Sequence, residues 1–486
     1  MTGEPAVPDD LPPLAWGPVL AVAAGVTALL LAMAGRYGYH RDELYFLEAG
    51  EHLAWGYPDQ PPVVPLIARL TSMVAEGSLV ALRTPSALAI GGLVLLSALV
   101  ARELGGRRGA QALTATVMAT SSLSLGAGHL LSTTTFSLLA WAAVLFVVLR
   151  ALRTGADWLW AVAGVIAGVG LLANTVVIFL LAAVLGGLLI GGPRRALTTP
   201  WPWVGGLIAL VIWSPYLVWQ GQHGWPQLEV SASIAAGESG TSEPRELFLP
   251  FQIVLLNPFV APIWIAGLVR LFRDPALSWC RGLAWCYPLL AAVFIASGGK
   301  PYYIAGIYPL LVGAGAALTI DWVRQSTARR VALVAALVLF LPAVPVTLPV
   351  LPASDVGDTP ILDLNYDAGE MIGWPTFVDQ VATVVEGADG AVALLTQNYG
   401  EAGALDRYGP ALGLPRAYSG DMGYWYWGPP PDDAKTVVAV GFAEPDLRRA
   451  CGDLRLADRL DNGLGVDNDE QGAPIWICRD PVAPWA

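Results

Sequence analysis

The chain has 486 residues, of which 55% are hydrophobic and only 14% charged. Soluble domains carry about 25% charged residues, so this composition excludes an ordinary soluble protein and indicates a chain that lies largely in a lipid bilayer. The net charge of −12 is divided unevenly, because residues 1–350 carry +2 and residues 351–486 carry −14. The acidic C-terminal part argues against nucleic acid as a partner.

Apolar runs of about 20 residues, the length that crosses the hydrocarbon of a bilayer, recur along the first 350 residues. Arginine clusters follow every second run, and the positive-inside rule places those loops and the N-terminus in the cytoplasm. The number of predicted spans is eleven, which is odd, so the C-terminal part is predicted to lie outside. The predicted spans are residues 14–35, 80–102, 110–128, 134–150, 158–173, 175–192, 201–219, 250–270, 282–298, 302–320 and 331–350.

These patterns predict a polytopic α-helical membrane domain, residues 1–350, followed by an extracytoplasmic soluble α/β domain, residues 351–486. In the second domain a helix-like run, 377–385, precedes apolar strand-like runs, which are residues 391–395, 437–442 and 475–478. Cys451 and Cys478 lie in this outer domain. Since oxidising compartments permit disulfides, we predict that they form one.

The first external loop, residues 36–78, contains the triplet Arg41-Asp42-Glu43. Charges this close to a bilayer are costly, which suggests a function for them. A helix from Asp42 to Trp55 would set Asp42 at the N-terminal end of an apolar face. The alternative is that Asp42 only caps this helix or interacts favourably with the helix dipole. A second run, 61–74, is amphipathic, too short to span, and predicted to lie on the membrane surface.

The other external segments carry few polar groups. Lys300, one of only two lysines in the chain, precedes Tyr302 and Tyr303 in a short outer turn. A lone cation there suits a lipid-linked phosphate, and the alternative is a lysine that snorkels to the headgroups. His223 and Trp225 lie among amides in the loop 219–250, a composition that suits sugar hydroxyls. The histidines and carboxylates allow a divalent cation but show no ligand spacing.

Several motifs occur along the chain, namely His40-Arg41-Asp42-Glu43, Tyr57-Pro58-Asp59-Gln60-Pro61-Pro62, the segment 219–225, Leu256-Asn257-Pro258, Gly299-Lys300-Pro301-Tyr302-Tyr303, Asn398-Tyr399-Gly400-Glu401-Ala402, Tyr418-Ser419-Gly420 and Trp427-Gly428-Pro429-Pro430. Together they resemble the GT-C glycosyltransferases, in particular the bacterial protein O-mannosyltransferase-like proteins of family 39 and the lipid A aminoarabinose transferase. In those enzymes the first external loop opens with an Asp-Glu pair and continues with an acidic-Lys-Pro-Pro element. The outer-domain segments are similar to an actinobacterial-type branch.

The resemblance implies transfer of a sugar from a polyprenyl-phosphate donor to an acceptor hydroxyl on a lipid, polysaccharide or protein, at the external face of a bacterial plasma membrane. It implies an inverting single displacement in which Asp42 is the base and Glu43 positions the acceptor or supports Asp42. Lys300 and Arg41, with Tyr302 and Tyr303, would face the donor phosphate. The remaining substrate-binding residues that it implies are His40, Tyr57, Asp59, Gln60, His223 and Trp225.

Two departures from the family pattern keep other functions open. Gln60 stands where those relatives have a Lys, and the segment 129–136 lacks the carboxylate that many of them carry before the fourth span. A relative that only binds polyprenyl lipids, or a membrane transporter, is therefore an alternative. The predicted spans are nearly free of charge and show no inverted repeat, unlike those of transporters, which favours an interfacial enzyme. The aromatic run 424–427 resembles a carbohydrate-stacking surface, with an aromatic core as its alternative.

Overall fold

The computed structural model describes residues 11–238, 241–431 and 434–482, and the chain divides into two compact units. The first unit comprises the residues up to 34, 60–63 and 83–344, and the second comprises 35–59, 64–82 and the residues from 345 onward. Most of the external loop 36–78 therefore belongs with the C-terminal residues, whereas the sequence placed it in the membrane domain 1–350. The reason is that its first helix packs against a helix of the C-terminal part.

The first unit is built from helices throughout its described residues. Seven helices in the described chain are long and apolar enough to cross a membrane, or up to eight if one bent pair forms a single span. The bent pair, Arg245–Val254 and Pro258–Arg273, turns by 81°, because Pro258 disfavours helical backbone at the residue before it. The seven are Trp16–Met33, Leu79–Glu103, Thr133–Thr154, Trp201–Gln222, Pro275–Ser297, Pro301–Arg324 and Thr327–Thr347.

Three of the predicted spans fall on shorter helices. The run 110–128 is divided between Arg108–Ala119 and Ser122–His129, and the run 158–192 between Leu159–Leu171 and Val177–Gly191. The side chain of Asn174 accepts the N–H of Val176 at 2.9 Å. This hydrogen bond lies in the break between helices Leu159–Leu171 and Val177–Gly191. The polytopic helical class is confirmed, and the count of eleven spans stays a prediction.

The second unit contains a five-stranded mixed sheet. Its strands are β1 Val392–Thr396, β2 Ala417–Ser419, β3 Thr436–Val440, β4 Cys451–Arg459 and β5 Pro474–Pro481, in the order β2-β1-β3-β5-β4. β1 is parallel to β2 and β3, and β5 is antiparallel to β3 and β4. Helices Trp374–Glu386 and Tyr399–Tyr408 complete the α/β domain, and Cys451 of β4 is disulfide-bonded to Cys478 of β5. The predicted helix and strands thus occur within a few residues of their expected positions.

The external loop contributes two helices, Arg41–Glu51 and Val63–Val74. The first lies against helix Tyr399–Tyr408, where Gly400 and Gly403 allow close approach. A Cβ atom at Gly400 would lie 2.9 Å from the Cβ of Arg41, and one at Gly403 would lie 2.9 Å from the Cβ of Leu44. These two glycines therefore set the distance between the loop helix and the C-terminal domain. The second helix leaves an apolar stripe exposed, as its amphipathic pattern predicted, at Leu66, Leu70 and Met73.

Candidate active site

A capping box begins the loop helix Arg41–Glu51. The Nδ1 atom of His40 accepts the N–H of Asp42 at 3.2 Å, and the Glu43 carboxylate accepts the N–H of His40 at 2.9 Å. Such reciprocal bonds satisfy amides that a helix start otherwise leaves open. His40, and not Asp42, is therefore the N-cap, which removes capping as the explanation for Asp42. Glu43 is fully buried and fixes the first turn, whereas the Asp42 side chain is 43% exposed.

A second capping box begins the facing helix Tyr399–Tyr408. The Asn398 side chain accepts the N–H of Glu401 at 2.9 Å, and the Glu401 carboxylate accepts the N–H of Asn398 at 3.1 Å. Burial raises the pKa of Glu401 to about 8. The two bonds hold Tyr399 as the first residue of the helix. Its hydroxyl donates to Asp42 Oδ1 at 2.7 Å, so the two helix starts meet at the candidate base.

The Tyr399 ring lies between a cation and a second ring. The guanidinium carbon of Arg41 is 5.0 Å from its centroid, a cation–π distance, and the Tyr45 centroid is also 5.0 Å away. Burial first, and then the negative charge of Asp42, raises the pKa of Tyr399 well above its ordinary value. The phenol therefore stays protonated and remains a hydrogen-bond donor to Asp42.

Arg41 is held by acidic and phenolic groups of the C-terminal domain. Its Nη1 atom donates to Asp469 at 2.6 Å, to the Tyr366 hydroxyl at 3.1 Å and to Glu370 at 3.3 Å. The Glu370 side chain is fully buried, so its charge needs this cation nearby. The sequence placed Arg41 at the donor phosphate. Its described partners are instead carboxylates, a phenol and the Tyr399 ring, and a role at the phosphate stays a prediction.

A second carboxylate of the loop is bonded in the same manner. The Tyr45 hydroxyl donates to Asp59 Oδ1 at 2.8 Å and accepts the N–H of Gly423 at 3.1 Å. Burial raises the pKa of Asp59 to about 7, and the nearby charges of Asp42 and Asp421 act in the same direction. Asp59 therefore holds a proton for much of the time at neutral pH. Two carboxylates in unequal environments are typical of sites that handle protons.

Three other residues that were predicted to bind substrate are buried in the structure. Tyr57 is 2% exposed, and its hydroxyl donates to the Ala49 carbonyl at 2.8 Å, so it closes the loop that follows the helix. The His40 ring is also buried, with Nε2 3.6 Å from Asp367. These contacts argue against direct substrate binding by either ring. Gln60 belongs to the first unit, is buried, and has no hydrogen-bond partner for its amide among the described residues.

The other three predicted phosphate-binding residues, Lys300, Tyr302 and Tyr303, lie together in the first unit. Lys300 is only 9% exposed and donates to the Thr241 hydroxyl, and its Nζ atom is 5.9 Å from the Tyr302 ring centroid. The Tyr302 and Tyr303 rings meet edge to face at 5.1 Å. This burial does not fit a lysine that snorkels into the headgroups. A buried ammonium near the Tyr302 ring suits an anion better.

The remaining aromatic candidates are partly exposed. His223 stacks on Trp219 at 4.0 Å just after helix Trp201–Gln222, and Trp225 is 44% exposed. The run 424–427 has features of both a carbohydrate-stacking surface and an aromatic core. Tyr424 is buried and donates to Asp406 at 3.0 Å, whereas Trp425 and Tyr426 are exposed.

Within the described ranges, no group of three or more His, Cys, Asp or Glu side chains is arranged to hold a metal ion.

The sequence did not identify the partners of the loop helix. Tyr399 was noted in a motif, but Tyr45, Glu370 and Asp469 were not. The Asn398-x-x-Glu401 spacing predicts a helix start at Tyr399. Nothing in it shows that this start meets Asp42, which lies 357 positions earlier.

The sequence and the fold were compared with those of known proteins. The family model for dolichyl-phosphate-mannose-protein mannosyltransferase matches residues 59–219. A crystal structure of ArnT from Cupriavidus metallidurans bound to undecaprenyl phosphate superposes with a TM-score of 0.61 at 16% identity, over 94% of this chain and 97% of that one. The apo structure of the same protein gives 0.61 at 17% identity, over 94% and 96%.

The Archaeoglobus fulgidus oligosaccharyltransferase, tethered with an acceptor peptide, gives a TM-score of 0.55 at 12% identity, over 82% of this chain and 63% of that one. No curated protein matches the sequence. The chain therefore shares the fold of these solved structures, and its residues 59–219 are similar to the mannosyltransferase family, as its motifs predicted.

Proposed function

We propose that this multi-pass membrane protein transfers a sugar from a polyprenyl-phosphate donor to an acceptor hydroxyl, with Asp42 as the base. The observation that carries the proposal is the placement of Asp42. Its side chain is 43% exposed at the start of a capped helix, and a buried phenol holds one of its oxygens at 2.7 Å. The donor class is supported by the family match and by the undecaprenyl phosphate bound to the similar ArnT structure.

The reaction is a single displacement that inverts the anomeric carbon. The acceptor oxygen attacks that carbon while Asp42 takes the acceptor proton, and the bond from the carbon to the phosphate oxygen breaks. Polyprenyl phosphate leaves with the electron pair. General-base help of this kind contributes about 10²–10⁴-fold. Lys300, with the Tyr302 and Tyr303 hydroxyls, is the group that would stabilise the departing phosphate.

The roles of the other residues follow from their contacts. Glu43 supports Asp42 through the first helical turn, and Asp59 supplies a second carboxylate, which is buried and bonded to the Tyr45 hydroxyl. The acceptor is a lipid, polysaccharide or protein hydroxyl. The site faces the extracytoplasmic side of a bacterial plasma membrane, with the N-terminus in the cytoplasm. A divalent cation at the donor phosphate is a further component that transfer assays with and without chelator would test.

A polyprenyl-lipid-binding protein without chemistry is the second candidate. The observation that favours it is Gln60, an uncharged residue at the position where the family pattern has a Lys. Wild-type protein that binds polyprenyl phosphate but transfers no sugar would establish this alternative. A transporter would instead move the lipid or sugar across vesicle membranes.

The decisive experiment compares Asp42→Asn with wild type in purified protein, using polyprenyl-phosphate-mannose and an envelope fraction from a strain that lacks the protein. We expect transfer to fall by at least about 10²-fold, while binding of polyprenyl phosphate is kept. Asp379→Asn is the matched control, since Asp379 is an exposed carboxylate of the same unit. Undiminished transfer by Asp42→Asn would refute its role as base.

A further inference from the structure

We infer that the C-terminal domain supplies a positioning residue for the candidate base, and that this residue is Tyr399. The inference rests on the proposed function and adds a role for a domain whose part in the reaction the sequence left open. Tyr399 does not touch the reacting atoms in this assignment. It acts through Asp42, by holding one carboxylate oxygen and so fixing the direction of the other.

The contact between the two side chains is short and leaves Asp42 accessible. The Tyr399 hydroxyl donates to Asp42 Oδ1 at 2.7 Å, the usual length for an O–H donor on a carboxylate. The Asp42 side chain nevertheless remains 43% exposed. An aspartate at the exposed start of a helix would otherwise rotate freely. One bonded oxygen restricts that rotation without closing the site to an acceptor.

Tyr399 is itself held from several directions. Its backbone N–H donates to the Asp421 carboxylate at 3.2 Å, and its ring lies 5.0 Å from both the Arg41 guanidinium and the Tyr45 ring. Arg41 in turn is bonded to the buried Glu370. A functional group is precise only when its supporting residues are locked in place. The phenol meets this condition.

The expected benefit is one of position. A base that is misplaced by about 1 Å loses about 10²-fold in rate, so a fixed carboxylate raises kcat. Tyr399→Phe removes only the hydroxyl. It should lower kcat about 10- to 100-fold and leave the KM for the donor unchanged.

The assay uses purified full-length protein with polyprenyl-phosphate-mannose and the envelope fraction described above. Tyr424→Phe is the matched control, because its hydroxyl also bonds a carboxylate of this domain, Asp406, at 3.0 Å. Loss of kcat with an unchanged donor KM in Tyr399→Phe alone supports the inference. A wild-type kcat in Tyr399→Phe overturns it. Equal losses of kcat in both variants also overturn it, because they indicate a general structural effect.

A second measurement is independent of transfer and separates this inference from the proposed function. In a double-mutant cycle of Tyr399→Phe and Asp42→Ala, which removes the acceptor oxygen, melting temperatures are measured on the purified protein. Coupling predicts that each substitution has a smaller effect when the other is present. Additive effects overturn the contact even if Asp42→Asn abolishes transfer. Non-additive effects together with unchanged transfer by Asp42→Asn uphold the contact and refute the proposed base.

Discussion

Replacing Arg41 with methionine tests whether this residue holds the loop helix or binds the donor phosphate. Methionine keeps much of the side-chain volume and removes the charge. The structure predicts a loss of stability, because the guanidinium is bonded to Glu370, whose side chain is fully buried. Without it that carboxylate remains buried and uncompensated.

The size of the loss follows from the burial of the partners. Removing one partner of a buried ion pair costs about 3–5 kcal/mol. The bond from Arg41 to Asp469 adds little, since the Asp469 side chain is 46% exposed and exposed pairs contribute less than about 1 kcal/mol. For a unit of this size, 1 kcal/mol shifts the melting temperature by about 2–4 °C. Arg41→Met should therefore melt about 6–20 °C lower than wild type.

The assay is thermal unfolding of purified protein, followed by tryptophan fluorescence. Arg69→Met is the matched control, because the Arg69–Glu51 pair is 38% and 52% exposed and should shift melting by no more than a few degrees. The double variant Arg41→Met/Glu370→Gln should recover part of the loss. Equal shifts in the two arginine variants would refute the reasoning. A raised donor KM with an unchanged melting temperature in Arg41→Met would support Arg41 as a ligand of the donor phosphate.

Three further predictions concern packing, protonation and the donor. Gly403→Ala should destabilise the second unit by about 1–3 kcal/mol, whereas Gly420→Ala, where a Cβ meets nothing within 4 Å, should not; equal effects would contradict the close packing. The pKa of Asp59 is about 7 in the folded protein against an ordinary 3.8, so stability should fall as pH rises from about 4 to 7. Asp59→Asn should flatten that decline in melting scans. An unchanged slope in this variant would contradict the raised pKa of Asp59. Lys300→Met should raise the donor KM about tenfold and Lys435→Met should not; unaltered donor binding in the first variant would remove Lys300 from the phosphate site.

Local and compositional features of this protein could be predicted from the sequence. Hydropathy and charge indicated a membrane protein with an acidic C-terminal domain, because apolar length and charge are properties of single segments. The helix Trp374–Glu386 and the strands β1, β3 and β5 were predicted because their periodicity is local. The motif around Asp42 and Glu43 pointed to the right family of folds, as the structural similarity confirms.

Contacts between distant segments were decided by the tertiary structure. The family resemblance implied that Arg41 faces the donor phosphate. Its partners Glu370 and Asp469 lie more than 300 positions away, and no local pattern reports such pairs. The Asn398–Glu401 spacing fits a capping box, whereas the sequence suggested Asp42 as the cap of the loop helix and the structure shows His40 there. The meeting of these two helix starts, through Gly400, Gly403 and the Tyr399 hydroxyl, depends on helix packing. The sequence alone thus determined which residue types were present for the chemistry, and the fold determined which of them hold Asp42, because a hydrogen bond requires atoms brought within about 3 Å.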